Sequence, residues 1–177
     1  INMVYSDIML ASAVVCFANG TMISTFNGLV PVENLTQGDL VWTLDHGYQP
    51  IRWIGAKFVP NVLMQANPKL RPLRIRQGAI RSNVPSRDLV VSQQHRIFVK
   101  SAICERLSDT PEALVPAKQL LEMNGFDVAD DLESVTYYHF IFDKHEVVLA
   151  DGALTESFFP GPQALKALSA DAREELF

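Results

Sequence analysis

Short runs of alternating apolar and polar residues, each ended by turn-forming residues, recur along this chain. A period of two puts every second side chain on one face of a strand, so the pattern restricts the chain to a β-rich fold. In "DLVWTLD" the side chains of Leu40, Trp42 and Leu44 share a face, and Asp45-His46-Gly47 then turns the chain into "YQPIRWIGAKFV" as a hairpin. Leu73 and Ile75 point away from Arg74 and Arg76, and "RDLVVSQQHRIFV" alternates again. The segment "VTYYHFIFDKHEVVLADGALTESF" predicts two further strands, with Phe140 and Phe142 on one face and His139 and Ile141 on the other. Its hairpin bend is expected around Asp143-Lys144.

Helical signals are few. "VPAKQLLEMNG" predicts one short helix stopped at Gly125, and "PGPQALKALSADAREELF" a second, with Leu165, Leu168 and Leu176 at helical spacing. The second reads as a C-terminal appendage over residues 161–177. "SDTPEAL" and the Pro60-to-Pro72 segment "PNVLMQANPKLRP" read as loops. With 177 residues, 48% of them hydrophobic, the chain can bury one sizeable core.

Charge and cysteine content narrow the function. Fifteen Lys and Arg against 20 Asp and Glu give a net charge of -5, which indicates neither a nucleic-acid surface nor a basic membrane contact. The apolar run "IMLASAVVCFA" has no basic region ahead of it and falls far short of the ~20 residues a membrane span needs. Any address label is expected to lie outside this sequence, and the compartment stays open. Cys16 and Cys104 sit in no metal-binding spacing, which argues against zinc and against a disulfide framework, although a single bridge between them stays open. No metal and no cofactor are expected.

The lone cysteine in "VVCFANGTMIST" then needs explaining, and its company decides. Thr21 stands close by, Ser92 and His95 fall in "VSQQHRIFV", and Asp143 and His145 fall in "FDKHEVVLADG". Taken singly, each has an ordinary reading: a packed cysteine, a polar strand face, a solvated charged turn.

Taken together they resemble the Hedgehog/intein (Hint) self-processing domain. That family opens with a cysteine followed by Gly-Thr and an alternating segment ending in Gly-Asp, as in "CFANGTMISTFNGLVPVENLTQGDLVWTLD". Its Thr-x-x-His motif is matched by "SQQH", with Ser92 for the threonine and His95 kept. Its C-terminal strand, turn and His are matched by His145 and "ADGAL". The resemblance covers roughly Cys16 to Phe158, favours the bacterial intein-like branch, and implies an all-β Hint fold of long curved hairpins with pseudo-twofold halves and short helices.

The implied chemistry is autocatalytic. The Cys16 thiol attacks the carbonyl of Val15, and an N-to-S acyl shift converts the Val15–Cys16 amide into a thioester. A free thiol is only a few per cent thiolate at neutral pH, and Asp143 or His145 is the expected activator. His95 is the expected general acid for the departing nitrogen, and Ser92 the expected oxyanion donor, with Thr21 or a backbone N–H beside it. The resemblance implies that residues 1–15 are the tail of a fused upstream passenger, still attached, and that residues 16–160 are the processing domain.

The chain departs from the family at its C-terminal motif. Inteins end in His-Asn, whose Asn cyclises to cut the second junction; Glu156 and Ser157 occupy those places here, and no asparagine follows Asn124. The expected outcome is N-terminal cleavage by water or another small nucleophile, without splicing, with hydrolysis or transfer to an amine as the expected course. A monomer is expected, with a secreted or cell-surface bacterial protein as one possible host. Two other classes stay open: a catalytically weak or inert Hint-like spacer module, and a trans-acting cysteine hydrolase built on Cys16 and His95.

Overall fold

A computed structural model describes residues 15–100 and 112–159. In chain order the strands are β1 (Phe17–Ala18), β2 (Met22–Thr25), β3 (Gly28–Pro31), β4 (Leu40–Thr43), β5 (Gly47–Pro50), β6 (Trp53–Pro60) and β7 (Leu73–Ile75). They continue with β8 (Leu89–Val91), β9 (Arg96–Lys100), β10 (Glu112–Pro116), β11 (Phe126–Val128), β12 (Ser134–Ile141), β13 (Val147–Ala150) and β14 (Ala153–Glu156). One sheet runs β11-β7-β8-β1-β12-β6, the other β10-β9-β14-β13-β2-β4-β5 with β3 beside β2. The described residues thus form an all-β fold of two antiparallel sheets, as the alternation predicts.

The longest pairing joins β12 to β6, from Ser134 opposite Pro60 to Ile141 opposite Trp53. One face of β12 feeds the main core, where Phe17 stacks on Phe140 at 5.5 Å and Phe140 meets Phe142 edge-on at 5.6 Å. Ile23, Val41, Ile75, Leu89, Val91, Ile97 and Val148 complete that core from both sheets. Burying each of the larger side chains contributes about 1.5–3 kcal/mol. The other face of β12 carries Val135 and Tyr137 into a second cluster with Cys16, Ala18, Val59 and Met64.

Four sequence expectations need correction. The Pro60-to-Pro72 segment is not a loop: Asn61–Ala66 forms helix α1 and Pro68–Leu70 a 3-10 turn. The two flanking prolines suggested irregular chain, but Pro60 sits at the N-cap and leaves the helix interior intact. Met64 of α1 is fully buried in the cluster around Cys16. Glu112–Leu114, read as part of a loop, begins β10.

The bend at Asp143-Lys144 is a crossover rather than a hairpin, because β12 lies in one sheet and β13 in the other. The tight hairpin is β13–β14, closed by Asp151 (φ 47°) and Gly152 (φ 79°), the doubly left-handed turn that an Asp-Gly pair favours. The Asp45-His46-Gly47 turn joins β4 to β5 as expected, and Leu40 and Trp42 share the more exposed face of β4 while Val41 and Thr43 are buried. The helix expected before Gly125 shrinks to the 3-10 turn Ala117–Leu120. The predicted C-terminal helix and Cys104 lie outside the described residues.

Candidate active site around Cys16

Cys16 immediately precedes β1, the two-residue strand that sits between β8 and β12. Phe17 pairs with Val91 on one side and with Tyr138 on the other, both antiparallel. Stepping back one residue along β1 means stepping forward one along each neighbour, so the register sets Cys16 opposite Ser92 and opposite His139. Two distant segments therefore converge on one residue from opposite sides.

The contacts follow from that register. The Ser92 N–H donates to the Cys16 carbonyl at 3.0 Å, and the Cys16 N–H donates to Ser92 Oγ at 3.0 Å. His95 closes the turn after Ser92 and brings Nδ1 within 3.0 Å of the same carbonyl. A carbonyl only accepts, which assigns the proton of His95 to Nδ1. On the far side, Cys16 Sγ lies 3.9 Å from His139 Nδ1.

His139 is absent from the residues that the sequence singled out for chemistry, although its strand and face were legible. It packs beneath Trp53, ring centres 5.0 Å apart, and meets Phe158 edge-on at 5.2 Å. Its cross-strand partner is Gly55, where a Cβ would collide with the Trp53 ring. Glycine at 55 thus lets the indole fold over and cover the imidazole. Only the pairing of β12 with β1 joins His139 to Cys16, and that pairing is tertiary information.

Burial sets the ionisation of this cluster. Cys16 is 3% exposed, and desolvation pushes its thiol well above the ordinary range. Desolvation lowers His139 to about 4 and His95 to about 4, the latter against an opposing pull from the Glu156 carboxylate. All three groups are neutral at pH 7.

Both histidines fall below their ordinary 6.5, so the unfolded chain binds more protons than the folded one between about 4 and 6.5. Their stabilising effect is complete above pH 6.5 and is lost as pH falls toward 4. The urea midpoint should accordingly drop steeply between pH 7 and pH 4.5. His95→Gln should flatten that slope; an unchanged slope would refute the buried, neutral assignment of His95.

The other sequence-singled residues lie around this centre. Thr21 is buried and donates its hydroxyl to the Ala18 carbonyl at 2.7 Å, locking the turn in which Gly20 takes φ 82°. Arg87 ties the same turn to Asp151, bonding the Gly20 carbonyl and the Asp151 carboxylate. The contacts of Thr21 are therefore with the turn. Asp143 is held by Arg52 through bonds of 2.7 and 3.0 Å, with its side chain 64% exposed. That ion pair keeps the Asp143 carboxyl below its usual range.

His145 bonds Glu156 through Nε2 at 3.1 Å, and the Arg96 N–H donates to the other Glu156 oxygen at 3.0 Å. These residues line a pocket of about 470 Å³ together with Val15, Gln94, Phe158 and Phe159. Ser157 is fully buried, and its Oγ accepts the Glu146 N–H at 3.0 Å. Cys16 is a free thiol, and among the described residues no group of three or more His, Cys, Asp or Glu side chains converges to hold a metal ion.

Two antiparallel layers that fold distant segments back onto one internal cysteine define a class, the self-processing β domains of intein type. The chain belongs to the Hint domain family, whose model matches residues 15–162. Its fold is similar to that of a bacterial intein-like domain from Clostridium thermocellum, with 19% identity, a TM-score of 0.51, and 81% of this chain and 98% of that one covered. The AceL NrdHF class 3 split intein, in a splice-inactive variant, is similar at 13% identity and TM-score 0.52, covering 81% and 99%. The MchDnaB-1 intein is similar at 9% identity and TM-score 0.51, covering 80% and 99%. No curated protein matches the chain. Membership brings autoprocessing capacity in general, and these likenesses establish the fold.

Proposed function

We propose that this domain cleaves its own chain at Val15–Cys16 through an N-to-S acyl shift and releases the upstream segment without splicing. The observation that carries the reading is the register that sets Cys16 between Ser92 and His139. Residues up to Val15 form the upstream flank, and residues 16–160 form the processing unit.

The His139 Nδ1 lone pair takes the thiol proton as Sγ attacks the Val15 carbonyl carbon. Asp143 is occupied by Arg52, which is why the acceptor role goes to His139. As the C–N bond breaks, the Cys16 nitrogen gains one proton, which balances the one that His139 took from the thiol; Ser92 Oγ, 3.0 Å from that nitrogen, is placed to relay it, receiving one proton as it passes on another. Ser92 N–H and His95 Nδ1–H grip the Cys16 carbonyl and keep that peptide from rotating. Such fixed placement of reacting groups can lower a barrier by up to about 7–11 kcal/mol relative to a bimolecular encounter.

Burial of the thiol disfavours a trans-acting hydrolase, since a foreign peptide cannot reach a side chain so enclosed. Absence of splicing rests on Glu156 and Ser157. A serine hydroxyl cannot form the succinimide that cuts a C-terminal junction. With reporters fused on both flanks, the expected product is the upstream reporter alone, the remainder staying joined to whatever follows. Hydroxylamine should raise its yield by trapping the thioester. Mass-spectrometric recovery of a ligated product carrying both reporters would overturn this reading.

A further inference from the structure

The nucleophile that resolves the thioester has to approach the Val15 carbonyl and lose a proton. Val15 lines the pocket of about 470 Å³ described above, a volume within the range of small-ligand sites. Phe158 and Phe159 line it together with Gln94, Arg96, His145 and Glu156, the Phe159 and His145 rings meeting edge-on with centres 6.2 Å apart. Glu156 is 4% exposed, and its carboxylate grips His145 Nε2 at 3.1 Å while accepting the Arg96 N–H at 3.0 Å. A buried carboxylate bonded to an imidazole nitrogen fixes its tautomer and orientation, which here puts the proton on Nε2 and the lone pair on Nδ1, as in carboxylate–histidine catalytic pairs.

We propose that this pocket is the acyl-acceptor site, that it takes a primary amine with an apolar stem, and that His145 is the base that deprotonates the attacking nitrogen. The proposal rests on the acyl-shift reading and extends it to the second step. Water has no use for an aromatic wall, whereas an alkyl stem buries against Phe158 and Phe159. The guanidinium of Arg96, with its Nε 4.0 Å from Glu156, offsets that carboxylate and favours the neutral, nucleophilic form of the amine over ammonium. A thiol acceptor is partly ionised near neutral pH and has less need of a base.

The step balances simply. The amine nitrogen bonds to the Val15 carbonyl carbon, the C–S bond to Cys16 breaks, and the proton accepted by His145 is returned to the leaving thiolate. The products are an upstream segment ending in an amide and a free Cys16 thiol.

The test compares two acceptors on the full chain: n-pentylamine, and dithiothreitol as the thiol. Intact-mass kinetics should give a Val15 pentylamide with wild-type protein. The ratio of amine-driven to thiol-driven cleavage should fall roughly 10²-fold or more in His145→Gln, the usual worth of a general base. A purely structural loss would depress both rates and leave the ratio constant, which would overturn the assignment of His145. In a second variant, Phe159→Ala, the preference for pentylamine over methylamine should shrink; an unchanged preference would overturn the stem-binding wall. If water or an alcohol outcompetes pentylamine in the wild type, the acceptor class is wrong. If dithiothreitol releases nothing from wild-type protein, it is the acyl-shift reading that fails.

Discussion

Cys16→Ala protein should keep its full mass indefinitely under conditions where the wild type, given a thiol or hydroxylamine, releases a segment ending at Val15. Without the sulfur there is no atom to take the acyl group, and neither Ser92 nor Thr21 offers a substitute, since Ser92 Oγ meets the Cys16 N–H and Thr21 Oγ1 the Ala18 carbonyl. The substitution should be structurally mild. Cys16 packs among Ala18, Val59, Met64, Val135 and Tyr137, and removing one small atom from such a cluster costs about 1 kcal/mol. Intact-mass spectrometry alongside a thermal melt checks both halves of the statement. Cleavage of the variant at the same bond and the wild-type rate would assign the cut to a contaminating protease.

His139→Gln should slow thioester formation by roughly 10²–10⁴-fold, the range associated with loss of a positioned general base. The measured quantity is the initial rate of dithiothreitol-driven release, normalised to folded protein. The pH profile supplies a signature that a packing defect would lack. Because burial holds His139 near 4, the wild-type rate should be insensitive to imidazole protonation from pH 6 to 8 and should fall as pH drops through about 4. Protonation fills the lone pair that must receive the thiol proton, which fixes the sign. A rate unaffected by His139→Gln would move the base role to another group.

The effect of His139 also marks where sequence reading stopped. Period-two alternation identified β12, and the opposite facing of Phe140 and His139 followed from it. Nothing local pairs Tyr138 with Phe17, and without that pairing His139 is one polar residue on a half-buried strand. The Ser92–His95 spacing was legible because both residues sit on one turn, held by the His95 N–H bond to the Ser92 carbonyl. Asp143 and His145 are near neighbours in sequence, yet the crossover between sheets sends them to different partners, Arg52 and Glu156. Helix α1 was misread because its signal is six residues of fair helix formers between prolines, too short to declare itself without the cavity that Met64 fills.

The sequence by itself determined the all-β class, the lone cysteine with its Gly-Thr turn, the Ser-x-x-His segment and the Glu156-Ser157 pair. Those are properties of local pattern and residue identity, which survive without knowledge of neighbours. The tertiary structure alone decided which imidazole faces the thiol, which carboxylate is buried and which is bound at the surface, and that Val15 opens onto a pocket shared by His145 and Glu156. Strand pairing has no local determinant: residues 16, 92 and 139 meet because β1 fits between β8 and β12 in one register, and a shift of a single residue would turn every side chain of β1 to the opposite face.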